Sequence, residues 1–295
     1  MNRWRRQVDR LLAGWVGLAV AITIGVLGWV VGYVVYRGGR QWLQRGWELL
    51  TAVPPAPLRG GGGLGPALVG SGMLITLAVL MALPVSLLAA LYLQEFCPWP
   101  GLVRLLTLGL EVLAGIPSLV VGVFVFGVVV VPTRRFSALA GALALTVLML
   151  PILTTTTQVA LAAVPLEIRQ GAWALGATPW QVVTGVLLPQ AWPGIVRGLT
   201  LGVARVVGET APLLFTALFA QNYLPLAELG WRALTTQPVA SLPVLIYTFA
   251  LSPFANQQEV AWAAAFVLLL LVLGGNLLAR GYQATLGNDQ HGAGG

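Results

Sequence analysis

Lysine is absent from this chain of 295 residues, and all sixteen basic residues are arginine. A phosphate-binding P-loop needs a lysine after its glycines, so the chain is not itself an ordinary P-loop ATPase. Schiff-base catalysis by lysine is excluded as well. The single cysteine, Cys97, permits no internal disulfide. The single histidine, His291, lies in a glycine-rich stretch near the end of the sequence, where we expect a frayed end rather than a metal site.

Charged residues of either sign are also scarce. They make up 8% of the chain, whereas 58% of its residues are hydrophobic. A typical soluble domain has about 25% charged residues, so this composition indicates an integral membrane protein surrounded by lipid. A net charge of +7 would suggest nucleic-acid binding in a soluble protein, but here the arginines mostly flank apolar runs, as in membrane proteins. We therefore expect no nucleic-acid partner.

Long apolar runs dominate what remains. A bilayer core takes about 20 apolar residues as helix. Six runs meet this length approximately: Leu11–Tyr36, Pro66–Leu93, about Leu105–Val131, Phe136–Leu153, Ile195–Phe219 and Val260–Leu278. The first is too long for the apolar region of a cleaved signal peptide, so we interpret it as a retained anchor. Leu242–Leu251 is too short to cross and is expected to be interfacial or re-entrant. The predicted fold class is an all-α polytopic membrane protein with six transmembrane helices.

This pattern divides the chain into three parts. Residues 1–65 form an N-terminal transmembrane helix and an external loop, residues 66–280 form the main transmembrane domain, and residues 281–295 form a flexible tail. An even number of spans places both termini on one side. Eight arginines then fall on that side and seven on the other, which does not decide the orientation. The arginine cluster before the first span favours cytoplasmic termini.

The segment between the fourth and fifth spans, residues 160–193, is too polar to cross the bilayer and is strongly patterned. Pro165 can begin a helix in its first turn, and Gly176 can end that helix in a left-handed conformation. Thr178 is a good N-cap for a second helix, which Pro189 is expected to break. We call residues 160–193 the docking loop and predict two short helices joined at a glycine.

The spacing within the docking loop resembles the signature E-A-A-x3-G-x9-I-x-L-P of the permeases of ABC importers, in which this cytoplasmic loop binds an ATPase. The candidate docking residues are Gln170, Gly171, Ala172, Gly176, Ala177, Thr178 and Pro189. Gln170 stands where the family usually has Glu, and Gly171 replaces an Ala, so the charge contact of that Glu is in question here. The alternative is an amphipathic hairpin lying in the membrane interface, which usually carries several Lys or Arg residues, whereas this one has only Arg169.

The fifth span combines small residues with a charged pair. Gly194, Gly198 and Gly202 repeat every four residues, which lets another helix approach closely. Arg205 and Glu209 follow at helical spacing i, i+4 and can pair with each other. Each charge facing lipid would cost about 2.5–3.5 kcal/mol, so this side must face protein or a watery path. The pair either fixes helix packing or offers a cation to a passing anion, and a guanidinium matches a tetrahedral oxyanion.

Several stretches together resemble the permease subunits of phosphate-specific ABC importers, over nearly the whole chain. They are Ala90–Phe96, Gly115–Ser118, Ala174–Trp180, Ala204–Leu214 and Ala240–Tyr247. The resemblance implies the type I ABC importer (MetI-like) permease fold in a bacterial inner membrane. It implies a sister permease subunit, two copies of an ATPase that carry ATP and Mg, and an external phosphate-binding protein. It implies no cofactor on this chain and no enzymatic activity of its own, with Arg205 and Glu209 on the substrate path.

Other functions remain open at this point. The chain could be the sister phosphate permease subunit, or a permease for another oxyanion such as sulfate or molybdate. An ion-coupled secondary transporter would show inverted repeats with broken helices, and the sequence has no such internal symmetry. A membrane-embedded enzyme is disfavoured because lysine is absent and the only histidine lies outside the apolar spans.

Overall fold

The computed structural model describes the backbone of residues 3–292 and the side chains of Asp9 and of residues 11–281. Every regular element within this part of the chain is helical. The helices are α1 (Arg3–Arg45), α2 (Trp47–Thr51), α3 (Gly65–Leu91), α4 (Pro100–Gly115), α5 (Ser118–Val125), α6 (Ala138–Ala162), α7 (Leu166–Ala174), α8 (Pro179–Val182), α9 (Leu188–Val206), α10 (Ala211–Thr216), α11 (Leu226–Leu229), α12 (Ala233–Thr236), α13 (Leu242–Ala250) and α14 (Ala255–Gly292). Wider π-helical turns extend α3 through Phe96, follow α5, and join α8 to α9.

Four helices in the described part are long and apolar enough to cross a membrane: Leu11–Arg45, Gly65–Phe96, Ala138–Ala162 and Ala255–Gly281. The pair Pro100–Gly115 and Ser118–Thr133 adds a fifth if it is counted as one span. The predicted all-helical membrane fold is confirmed, while the number of six spans stays a prediction. The tail predicted as flexible has helical backbone through Gly292, and residues 293–295 lie outside the described residues.

The third predicted span is sharply bent, by 101° between its two halves. Ile116 and Pro117 have extended backbone between the halves. The proline ring disfavours helical conformation in the residue before it, which explains the position of the break. After the bend, a Cβ placed on Gly122 would lie 2.6 Å from Cα of Pro212, so α5 lies directly against α10. The break at Gly115–Ser118 is therefore larger than a bend within one helix.

The prediction of one continuous fifth span over Ile195–Phe219 is wrong. Helix α9 ends at Val206, and α10 begins only at Ala211. Pro212 lacks an N–H group and is tolerated in the first turn of a new helix but not inside a long one. Gly208 further weakens helix formation between the two. The charged pair therefore spans the end of a helix rather than its middle.

The core lies where α3, α6 and α9 meet, and α6 is the most buried of the candidate spans. Its alanines and Gly141 allow neighbouring helices to come close. Leu242–Leu251, predicted to be interfacial or re-entrant, does not lie in the interface, because Leu242, Leu245 and Phe249 of α13 are fully buried within the protein; the re-entrant alternative stays a prediction. The first amide of α13, on Leu242, donates a hydrogen bond to Ser71 Oγ of α3 over 2.8 Å, which satisfies a helix-end N–H.

Helix α1 lies at the edge of this core. The hydrophobic part of the helix is entirely unburied in the isolated chain. It contacts α14, where the rings of Tyr33 and Trp262 meet edge to face at 5.0 Å. Exposed apolar side chains along a helix of this length are typical of a membrane span whose other neighbours are lipid.

Candidate docking loop and charged pair

The docking loop contains the two short helices that the sequence predicted, α7 and α8. We call residues 166–187, which include both helices and the π-helical turn after them, the knob. Helix α7 ends at Ala174, and Gly176 adopts a left-handed conformation with φ of +82°. Thr178 then caps α8, and its hydroxyl accepts a hydrogen bond from the amide of Gln181. The Gln181 side chain accepts one from the amide of Thr178 over 2.8 Å, which completes a capping box. Both turn predictions, at Gly176 and at Thr178, are confirmed.

The prediction that Pro189 breaks the second helix is wrong. A π-helical turn at Val183–Leu187 leads directly into α9, and Pro189 lies in the first turn of that helix. The amide of Leu188 bonds to the carbonyl of Val183, five residues earlier rather than four. A proline ring normally clashes with the carbonyl four residues before it, and the widened turn relieves that clash. The knob is thus continuous with a helix that enters the core.

Two sides of the knob have opposite environments. Val182, Val183 and Leu187 are buried, and they pack in one apolar cluster with residues of α3 and α6 such as Leu91 and Leu161. The outer side exposes large apolar side chains: Leu166, Ile168, Trp173, Leu175 and Trp180. Trp180 precedes Val183 and Leu187 at helical spacing, yet it is 61% exposed while they are buried. An exposed apolar patch on an otherwise polar loop indicates an interaction site.

One ion pair in the docking loop was not predicted. Arg169 Nη1 of α7 lies 2.8 and 3.0 Å from the two carboxylate oxygens of Glu95, at the end of α3. Its Nη2 donates to the carbonyl of Leu161, in the last turn of α6, over 2.5 Å. Both side chains are largely buried, with exposed fractions of 12% and 13%. The residues are 74 positions apart, and nothing local in the sequence indicates that they meet.

The glycine repeat of α9 lies against α6. A Cβ on Gly194 would be 3.3 Å from Cα of Ala160, and one on Gly198 would be 2.9 Å from Cβ of Thr156. Gly202 has more room, since the nearest atom, Cε of Met149, would be 3.4 Å away. The three glycines therefore occupy a helix–helix contact that is tighter at Gly194 and Gly198 than at Gly202.

Arg205 and Glu209 are brought together as their spacing predicted. Arg205 Nη1 donates a hydrogen bond to Glu209 Oε1. The two groups differ in environment, because the arginine side chain is 46% exposed and the glutamate side chain is 10% exposed. The carboxylate is thus held within the protein, while part of the guanidinium faces outward from the isolated chain. This geometry leaves guanidinium donors free for a second acceptor.

A second basic residue on the same helix was not among the predicted site residues. Arg197 lines an open cleft between α6 and α9, together with Thr155, Thr156 and Gln190. Along α9, the cleft lies on the docking-loop side of the charged pair, and Gln190 of the docking loop is part of its lining. The signal in the sequence that could have indicated it is the position of Arg197 two helical turns before Arg205.

The family to which the chain belongs follows from comparison with known proteins. Residues 82–287 match the family described as "Binding-protein-dependent transport system inner membrane component". The chain belongs to this family of membrane transport components, and the matched region contains both the docking loop and the charged pair.

Individual relatives are more specific. The chain is 37% identical to the "Phosphate transport system permease protein PstA" of Yersinia pestis, over 94% of this chain and 90% of that protein. It is 38% identical to the "Probable phosphate transport system permease protein PstA" of Methanocaldococcus jannaschii, over 90% of each chain. A bacterial ABC transporter involved in alginate import has the same fold, with a TM-score of 0.54 at 16% identity over 93% of this chain and 98% of that chain.

Proposed function

We propose that this chain is the permease subunit of an ATP-driven phosphate importer, in a bacterial inner membrane with both termini cytoplasmic. The observation that carries the proposal is the knob formed by α7 and α8, which exposes apolar side chains while its root is buried in the core. The names of the relatives supply the substrate, phosphate. The importer would also include a sister permease subunit, two copies of an ATPase and an external phosphate-binding protein.

The knob would insert into a cleft of the ATPase. Leu175, at the tip of the knob in the turn between α7 and α8, is 89% exposed, and Trp180 of α8 is 61% exposed. Burying each such side chain in a partner contributes about 1.5–3 kcal/mol. Gln170, Gly171, Ala172 and Ala177 surround the turn, and their small or uncharged side chains allow close approach. ATP and Mg would be bound by the ATPase alone, and this chain would carry no cofactor.

Arg205 would contact the substrate, and Glu209 would moderate its charge. The carboxylate occupies one edge of the guanidinium, so a phosphate oxyanion would meet the remaining donors. A partly compensated cation binds an anion without holding it permanently, as a transport path requires. The sister subunit would cover the exposed side of Arg205 and complete the path.

Phosphate uptake by proteoliposomes that contain the whole complex tests this assignment. Replacing Arg205 with Gln should abolish uptake while the ATPase and the sister subunit still co-purify. R205K, which keeps the charge but not the planar fork, should retain part of the uptake. Normal transport by R205Q would refute the role of Arg205. Competition by sulfate or molybdate equal to that by phosphate would indicate a permease for another oxyanion.

The orientation can be tested by thiol labelling. With Cys97 replaced by Ser, a cysteine at Leu175 should react with an impermeant reagent only from the cytoplasmic side, because the side chain at this position is almost fully exposed. Labelling from the opposite side would contradict docking to a cytoplasmic ATPase.

A further inference from the structure

We propose that Arg169 and Glu95 are positioning residues that transmit the movement of the docking loop to α3. The inference rests on the proposed function, since it concerns how an ATPase held at the knob moves the membrane helices. Neither residue is expected to contact phosphate or ATP. Their role would be mechanical: a charged clamp at the point where three helices meet.

The clamp joins elements that are distant in sequence. The guanidinium of Arg169, on α7, bonds both oxygens of Glu95 and the carbonyl of Leu161. Glu95 lies in the π-helical turn that ends α3, and Leu161 lies in the last turn of α6. A guanidinium is a planar group whose donors have a fixed arrangement, so these three bonds fix the orientation of α7 relative to both other helices.

Little else attaches α7 to the membrane part of the protein. Of its nine residues, seven are exposed, and only Arg169 and Ala172 are partly buried. Ala172 contributes one small side chain to the apolar cluster below the knob. A force applied to the outer surface of α7 therefore reaches α3 chiefly through the Arg169–Glu95 pair. An ion pair of this burial resists separation, because breaking it would leave a charge without a partner in a largely dry site.

The pair differs from the ion pair between Arg45 and Glu259. Arg45 and Glu259 approach only to 3.8 Å, and Glu259 is 46% exposed, so their interaction is screened by water. This second pair joins α1 to α14, away from the docking loop. The variant E259Q is therefore a matched control for E95Q, because it makes the same chemical change in a pair that lies off the proposed route.

The test compares wild type, E95Q, R169K and E259Q in proteoliposomes that contain the sister subunit and the ATPase, with the phosphate-binding protein supplied. Both ATP hydrolysis and uptake of radiolabelled phosphate are measured. In E95Q the phosphate carried per ATP hydrolysed should fall by about fivefold or more, the lower end of coupling factors between protein sites. R169K should show a smaller fall in this ratio, because lysine keeps the positive charge but lacks the planar arrangement of guanidinium donors. E259Q should match wild type, and the ATPase should co-purify with every variant.

A second measurement does not depend on the substrate. Hydrogen exchange of the amides in residues 166–174 of the purified full chain should be at least about tenfold faster in E95Q, the effect expected for losing a charged hydrogen bond. The inference would be overturned if E95Q and R169K carried as much phosphate per ATP hydrolysed as wild type. It would also be overturned if both variants lost ATPase binding, because the pair would then have a purely structural role. If the wild-type complex carries no phosphate, the proposed function fails. Unchanged exchange in E95Q would then still refute the clamp.

Discussion

The contact between Gly198 and Thr156 provides a sharp test of how closely α6 and α9 must approach. In the variant G198A, the new Cβ would overlap Oγ1 of Thr156 and would lie 2.9 Å from Cβ of the same residue. Carbon atoms are in optimal contact at about 3.5–4.0 Å, so the helices must separate locally by about 0.6–1.1 Å. A gap of about that size forfeits a quarter to a half of the dispersion energy of neighbouring contacts. Overpacking of this kind costs about 1–3 kcal/mol, and we expect G198A to lower the free energy of unfolding by that amount.

The assay is unfolding of the purified subunit in detergent, followed as the loss of helical circular dichroism. G274A is the matched control, because nothing lies within 4 Å of a Cβ at Gly274 on α14. It should be neutral or slightly stabilising, as alanine favours helix over glycine. The double variant T156G/G198A removes the side chain of residue 156 on α6 and adds a methyl group on α9. It should therefore recover most of the stability that G198A alone loses. Stability of G198A equal to that of G274A would refute the close-contact argument.

Three further predictions concern the knob. G176A should weaken co-purification of the ATPase, because alanine in a left-handed conformation costs about 1–2 kcal/mol. G274A, in open space on α14, is the control, and equal binding by the two would contradict the prediction. T178A removes the capping box and should cost about 1 kcal/mol of local stability, measured as faster hydrogen exchange in α8; unchanged exchange would show that the cap is dispensable. L175S should leave the unfolding free energy of the subunit within about 0.5 kcal/mol of wild type, since the side chain is exposed, yet reduce ATPase binding. Undiminished binding would exclude the tip of the knob from the interface.

The features that could be predicted from the sequence are those with local causes. Gly176 and Thr178 act on their own neighbours, so the turn and the cap could be predicted from residue type and position. The i, i+4 spacing of Arg205 and Glu209 predicted their contact for the same reason. The apolar runs likewise predicted an all-helical membrane fold from length alone.

The features that were missed depend on several elements at once. Pro189 was expected to end a helix, and only the π-helical turn before it shows how the chain continues. The break after Val206 divides an apolar run that hydropathy cannot distinguish from a full span. Arg169 meets Glu95 because three helix ends converge, and that convergence is a product of tertiary packing. A pattern within one segment carries no information about such a meeting.

The termination of α9 at Val206 has a consequence for the electrostatics of Arg205. Carbonyl groups in the last turn of a helix carry a partial negative charge that favours a nearby cation by about 0.3–1 kcal/mol. Arg205 lies in that turn, so the backbone carbonyl groups and the Glu209 carboxylate both offset part of its charge. An anion that approaches the exposed side of Arg205 would therefore be bound weakly rather than tightly. On the proposed substrate path, the interrupted helix would therefore favour rapid turnover over tight retention.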